Sequence, residues 1–344
     1  MKTYYEEWLN QQGAPIVRGF SLPSLNEVET GKWERHGVNG AIIKLDGAED
    51  TNDASILEIP PGMSTIPEHH VYEEIIYVLE GRGACAVWQR EDAKRSFEWH
   101  EGSLFAVPLN AWHRLYNGQG GKPCRLFVVS SAPLIINLYR NLEFVFQEDY
   151  AFTDRFDARE DYFSSIGEAK PDRVWETNFV EDVRTFPLED YSIRGASGVN
   201  RRFHLADCTM GCHVSQFPVG TYKKGHRHGP GANVVVLNGQ GYSLLWQKGR
   251  EDQMVKVDWQ AGSLLVPPNM WFHQHFNTGG EPAKYLAIRW GKSKHPFMRQ
   301  WGTTNVDLKE GGDLIQYEDE LPMIQELFAK ELAKNGLTSR MPKK

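Results

Sequence analysis

Cysteine is scarce in this chain of 344 residues: four positions, Cys85, Cys124, Cys208 and Cys212. That excludes a disulfide-stapled secreted scaffold and suits a reduced, cytoplasmic protein. Cys208 and Cys212 are close in sequence, but no second pair completes a thiolate metal site, so they read as small buried residues. No apolar run approaches the roughly 20 residues needed to span a bilayer, which excludes a membrane helix. The opening Met1–Trp8 is too acidic and polar to read as a signal peptide. Positive charge is in deficit, with 38 Lys and Arg against 45 Asp and Glu, a net charge of −7 and a pI near 6.0. A broad nucleic-acid surface is therefore not expected, and the closing Met341-Pro342-Lys343-Lys344 reads as a solvated tail. The length suffices for two domains, each with its own core.

What the chain does have is a repeat of itself. Gly62, His70, Glu74, Gly81, Gly83 and Trp88 recur as Gly220, His228, Ala232, Gly239, Gly241 and Trp246, at an offset of 158 (70 to 228, 81 to 239, 88 to 246). Farther on, Trp99, Gly102, Pro108, His113 and Asn117 recur as Trp259, Gly262, Pro268, His273 and Asn277, at an offset of 160 (113 to 273). An insertion of two residues between the blocks accounts for the change and belongs in a loop. One unit used twice, with histidines at metal-ligand spacing, predicts two similar domains.

Between about Ala41 and Leu138 the chain reads as short β-rich runs punctuated by Gly and Pro, such as Ile75-Ile76-Tyr77-Val78-Leu79 closed by Gly81-Arg82-Gly83. Strands without intervening helices predict a sandwich or barrel. The predicted divisions are an arm with a short helix (1–40), a first barrel (41–140), a connector (141–200), a second barrel (201–295) and a helical segment with tail (296–344). In the arm, apolar spacing over Tyr5–Leu9 predicts the helix, which Gly13 stops. Near the end, Pro322 suits a first turn, Ile324, Leu327, Phe328 and Leu332 form one stripe, and Gly336 suits the cap. That stripe packs either on its own barrel or across a homo-oligomer contact.

In each copy the first block places side chains two residues apart, on one face of an extended strand, and a later strand adds another histidine. This pattern resembles the cupin superfamily, whose first motif is Gly, His-x-His, Glu, Gly and whose second is Gly, Pro, His, Asn. The resemblance implies an all-β protein of two tandem cupin barrels (double-stranded β-helix, jelly-roll) with short peripheral helices. The C-terminal copy matches at His226, His228 and His273 but has Ala232 at the Glu position, with Asn233 beside it. Three imidazoles without a carboxylate resemble the site of cupin dioxygenases that use Fe(II), although imidazole also suits Mn, Zn or Ni. The N-terminal copy offers Glu68, His70, Glu74 and His113 as a possible second site, mixed in donor type and suited to a harder ion such as Mn. His69 and Glu73 belong to the opposite strand face and are read as non-ligands.

Trp112 and Phe272 read as core aromatics, His275 as either an outer donor to the site or a satisfied histidine, and His204 and His213 have no motif support. Arg289 shares a strand face with Tyr285 and Ala287; it either clamps a substrate carboxylate or forms a rim salt bridge. The turn Gly229-Pro230-Gly231 is placed at the mouth of the site. The expected function is a metal-dependent bicupin oxidoreductase, a ferrous dioxygenase acting on a small chelating organic molecule with O2. A Lewis-acid hydrolase, lyase or isomerase and a non-catalytic metabolite-binding protein are the alternatives, and no catalytic base is evident.

Overall fold

The computed structural model describes residues 2–292, 294–295 and 303–341. Pro342-Lys343-Lys344 therefore lies outside the described residues. Two barrels follow one another, each a large sheet facing a small one. The large sheet of the first runs Ile16–Gly19, Val38–Leu45, Asp53–Ile59, Cys124–Ser130, Glu74–Glu80, Leu104–Val107 and Phe179–Val180. Its small sheet is Trp112–Asn117, Arg82–Trp88 and Arg95–His100. The second barrel repeats the plan, with Val199–Leu205, Gly211–Phe217, Ala283–Arg289, Asn233–Asn238 and Leu264–Leu265 in its large sheet and Val255–Gln260, Gln240–Trp246 and Phe272–Asn277 in its small one.

The repeated Gly-x-Gly has two separate causes. Gly81 and Gly239 turn the hairpin at φ +97° and +90°, a region that side chains with a Cβ disfavour. Gly83 and Gly241 lie under the rings of Trp99 and Trp259 and against the carbonyls of Tyr116 and Phe276, where any Cβ would collide. The repeated tryptophan is the partner of the second glycine, so the two recur together.

The two large sheets pack back to back. Ile43, Ile56, Ile75, Tyr77, Phe127 and Val129 meet Phe203, Leu205, Val214, Val235, Leu286 and Ile288 in one buried cluster. With both faces covered, strands such as Glu74–Glu80 and Asn233–Asn238 read as continuous apolar runs instead of alternating ones. Each barrel also borrows an edge strand: Ser21–Leu22 pairs with Leu264–Leu265 of the second, and Phe179–Val180 with Leu104–Phe105 of the first. The arm and the connector thus both carry sheet strands, too short to register as periodic in the sequence.

Helix Tyr4–Leu9 forms as its spacing predicts and starts on a capping box of Thr3 and Glu6. The run Ala132–Tyr139, read as strand, is a helix instead: Pro133 sits in its first turn, and Ala132, Pro133 and Ile136 face inward. The final helix, Pro322–Lys334, buries Ile324, Phe328 and Leu332 against Tyr222, Phe272 and Phe276 of the second barrel of the same chain. All four cysteines are free and buried. Among the described residues no helix is long and apolar enough to cross a membrane.

Candidate metal centres

A bulge places the C-terminal histidines. Tyr222 pairs with Phe276 and His226 with His273, so four steps along one segment are matched by three along the other. The extra residue breaks the strict alternation, and both Lys223 and His226 line the same cavity. The N-terminal copy has the same irregularity, with Ser64 on Tyr116 and Glu68 on His113.

In the C-terminal barrel, ligand nitrogens of His226, His228 and His273 lie within 4.8 Å of one another. Each ring donates from Nδ1 to a backbone carbonyl: Lys224 at 3.1 Å, Gly229 at 2.8 Å and Trp271 at 3.2 Å. That bond fixes the tautomer, so Nε2 carries the lone pair, the arrangement metal-binding histidines show. Burial lowers the pKa of all three, His273 to about 3, with neighbouring cations adding to the effect. Three neutral donors converging on one point fit a divalent metal. Ala232 is buried and lines the same cavity, while Asn233 is held by Asn52 and the carbonyl of Gly231.

The cavity in front of these rings has a volume of about 90 Å³. Its wall carries Arg194, Arg202, Lys223, Arg289 and Lys292, and among the described lining residues there is no Asp or Glu. Arg194 donates to the carbonyl of Thr304 at 2.7 Å. Burial, then the charges of Arg202 and Arg194, pull Arg289 down to about 10. His275 shares a 2.7 Å hydrogen bond with Ser243 and stands outside the three-histidine group. His204 and His213 also line the cavity, as do Arg194 and Lys223. Reading by motif missed these four. The signal for His204 and His213 was strand alternation, which places them inward with Arg202 and Ser215; Arg194 and Lys223 lie on irregular segments that carry no periodic signal.

In the N-terminal barrel the residues brought within 4.8 Å are His70, Glu74 and His113. His70 donates from Nδ1 to the carbonyl of Tyr72 at 2.9 Å and stacks on that ring at 3.6 Å. Its buried Nε2 has no hydrogen-bond partner and lies 3.5 Å from Glu74, an orphaned donor atom that a metal would satisfy. Glu68, proposed from sequence as a fourth donor, is not in this group. His36 lies 2.7 Å from its carboxylate and Arg35 3.3 Å, while His113 is 3.8 Å away. Burial alone would raise its pKa; His36, Arg35 and His113 overturn that and hold it well below the usual carboxylate range.

His69 and Glu73 do face away from the group. His69 donates to Asn110 and stacks on Trp112, and Glu73 accepts from the backbone of Thr209 and Met210, bolting the two barrels together. The space beside Glu74 is about 30 Å³ and is hemmed in by Trp8, Trp33 and Tyr72. Glu68→Ala is therefore expected to cost about 3–5 kcal/mol in stability, because it strands His36 and Arg35. Metal uptake in that barrel should change far less than in Glu74→Ala. Calorimetry with metal analysis checks this; a Glu68→Ala protein as stable as the parent and as depleted as Glu74→Ala would make Glu68 a ligand instead.

Residues 55–130 match the Cupin domain family. Glucose-6-phosphate isomerases of Thermococcus gammatolerans and Pyrococcus abyssi are 29% and 28% identical over 98 residues, 27% of this chain. The chain spans about half the length, 51%, of these curated relatives. Among solved structures, the Mn(II)-containing oxalate decarboxylase of Bacillus subtilis superposes with a TM-score of 0.51 at 14% identity, over 80% of this chain and 78% of that one. A formate complex of the Lactobacillus farciminis oxalate decarboxylase gives 0.52 at 13% identity, over 79% and 86%. At these identities the structural likeness shows the two-barrel fold.

Proposed function

We propose that this chain, a tandem two-barrel protein of the cupin superfamily, is a metal-dependent enzyme that works in its C-terminal barrel. Its reaction in this reading is the oxidation by O2 of a small organic acid that chelates ferrous iron on His226, His228 and His273. The observation that carries it is a contrast within one cavity: three neutral imidazoles converge there, and the described residues of the same lining include five cations and no carboxylate. Iron held there would supply Lewis acidity and one-electron chemistry with O2 at open positions. The chain's own residues do the rest. The Nδ1 bonds to backbone hold the rings in place, burial keeps bulk water out, and Arg289 with Arg194 offers guanidinium groups to an anionic substrate. The N-terminal cavity, narrowed by aromatic side chains, suits a substrate less well.

A second reading is redox-neutral lyase or isomerase chemistry on Mn, Zn or Ni. The mixed set of His70, Glu74 and His113 favours it, since a carboxylate donor suits a harder ion such as Mn. Metal analysis of protein from unsupplemented cells, with O2 uptake measured over a panel of chelating organic acids, separates the two. Substrate-dependent O2 uptake is expected. Turnover that continues unchanged under argon would replace the dioxygenase by the second reading, and metal loading without turnover would leave a binding protein.

A further inference from the structure

We propose that Lys223 recognises a second anionic group on the substrate, so that the C-terminal barrel takes a two-headed organic acid. One head chelates the metal on the three histidines, and the other is a carboxylate bound by the Lys223 ammonium. This rests on the reading of the three-histidine site given above.

Lys223 is only 3% exposed and lines the cavity. Its backbone N–H donates to the carbonyl of His275 at 3.0 Å, which fixes it across the small sheet from that residue. Its Nζ donates to Ser215 at 2.5 Å and lies 5.2 Å from the ring of Tyr285 and 5.5 Å from that of Phe217. Among the described residues no carboxylate comes within 4.0 Å of it, the reach of an ion pair. A buried ammonium met only by a hydroxyl and two ring faces is poorly compensated, since charges taken out of water need an opposite charge nearby. Burial and the charge of Arg194 accordingly pull its pKa down to about 7. One hydrogen bond uses one of three donors, so the ammonium can also donate to a carboxylate.

The other barrel provides an internal control. Ser215 pairs with Tyr285 as Leu57 pairs with Leu126, and Lys223 bonds the carbonyl of His275 as Thr65 bonds that of Leu115. The first barrel thus places Leu57, Thr65, Leu115 and Leu126 where the second has Ser215, Lys223, His275 and Tyr285. The Thr65 hydroxyl there is occupied by the backbone N–H of Leu115 at 3.0 Å. The fold is satisfied there by three leucines and a threonine bonded to the backbone, so the cation is not a requirement of the barrel. Because Lys223 opposes His275 and His226 opposes His273, the backbone of Lys223 lies two strand residues, about 7 Å, along from the level of the metal ligands, and its side chain enters the cavity that they line. That spacing suits a short diacid.

The test uses the full chain loaded with Co(II), whose visible spectrum reports chelation, titrated with pyruvate and with 2-oxoglutarate. The two share a 2-oxo acid head and differ in the second carboxylate. Wild type is expected to bind 2-oxoglutarate about 10-fold or more tightly than pyruvate, as one charge-assisted contact allows. Lys223→Met should erase that preference and leave pyruvate affinity within about 2-fold, because the metal-binding head is untouched. Lys223→Thr, the residue of the other barrel at this position, is the second variant and guards against a folding defect in the first. No preference in wild type, or a preference surviving in both variants, overturns the role of Lys223. If neither acid changes the Co(II) spectrum, or if His228→Ala binds pyruvate as well as wild type does, the reading of the metal site fails instead.

Discussion

His228→Ala is expected to empty the C-terminal barrel of metal and to abolish turnover, while the chain still folds. The imidazole supplies one of only three donors, and loss of an outer hydrogen-bond partner alone costs metal sites about 10–100-fold in affinity, so loss of a ligand should cost more. The fold should survive because the barrel is held by apolar clusters that do not include the three histidines. This is unlike a zinc finger, in which metal binding and folding are one event. His70→Ala is the matched comparison and should deplete the N-terminal barrel while sparing most activity. Metal content, circular dichroism and turnover of the two variants side by side decide the ordering. An active, metal-replete His228→Ala protein beside an inactive His70→Ala one would move the chemistry to the N-terminal barrel.

The two barrels differ in what fills them. In the first, Trp8, Trp33 and Tyr72 crowd the space beside Glu74, and Arg35 and His36 engage the carboxylate at the first motif position. In the second, Arg194 holds the place of His36: Ile66 bonds the carbonyl of His36 as Lys224 bonds that of Arg194. There the first motif position is a neutral imidazole, among the described residues no carboxylate pairs with Arg194, and the cation lines the cavity. The same backbone therefore gives a packed, charge-balanced interior in one copy and an open, cationic one in the other.

Much of this was legible in the sequence, for physical reasons that can be named. The repeat was visible because Gly81, Gly83 and Trp99 answer one steric demand and Gly239, Gly241 and Trp259 answer it again. The convergence of His226 and His228 with His273 followed from strand alternation. Lys223 did not, because the bulge after Tyr222 breaks that alternation and no periodic signal marks an extra residue. Glu68 was placed among the ligands because it occupies the first motif position, and its partners His36 and Arg35 lie some thirty positions earlier, outside the repeated sequence blocks. Helix Ala132–Tyr139 was hidden by its strand-like composition, Pro133 being the one residue that pointed to a first turn.

Ala232 carries the other large effect. It takes the place held by Glu74 in the first barrel, it is 2% exposed, and it borders the cavity with the three histidines. Ala232→Glu would place a carboxylate beside three neutral imidazoles in a pocket otherwise lined with cations. The new group has two routes to compensation, a metal or the guanidinium groups of Arg194 and Arg289. Either occupies what a chelating anion would use. The variant is therefore expected to hold a divalent metal about 10-fold or more tightly, as one added anionic donor permits, and to lose turnover by about 100-fold or more. Chelating anions such as pyruvate should bind it correspondingly less well. Metal retention against a competing chelator and steady-state turnover of this single variant give the answer. Wild-type activity with an unaltered Co(II) spectrum would mean that position 232 does not border the metal, and the open-coordination basis for oxygen chemistry would go with it.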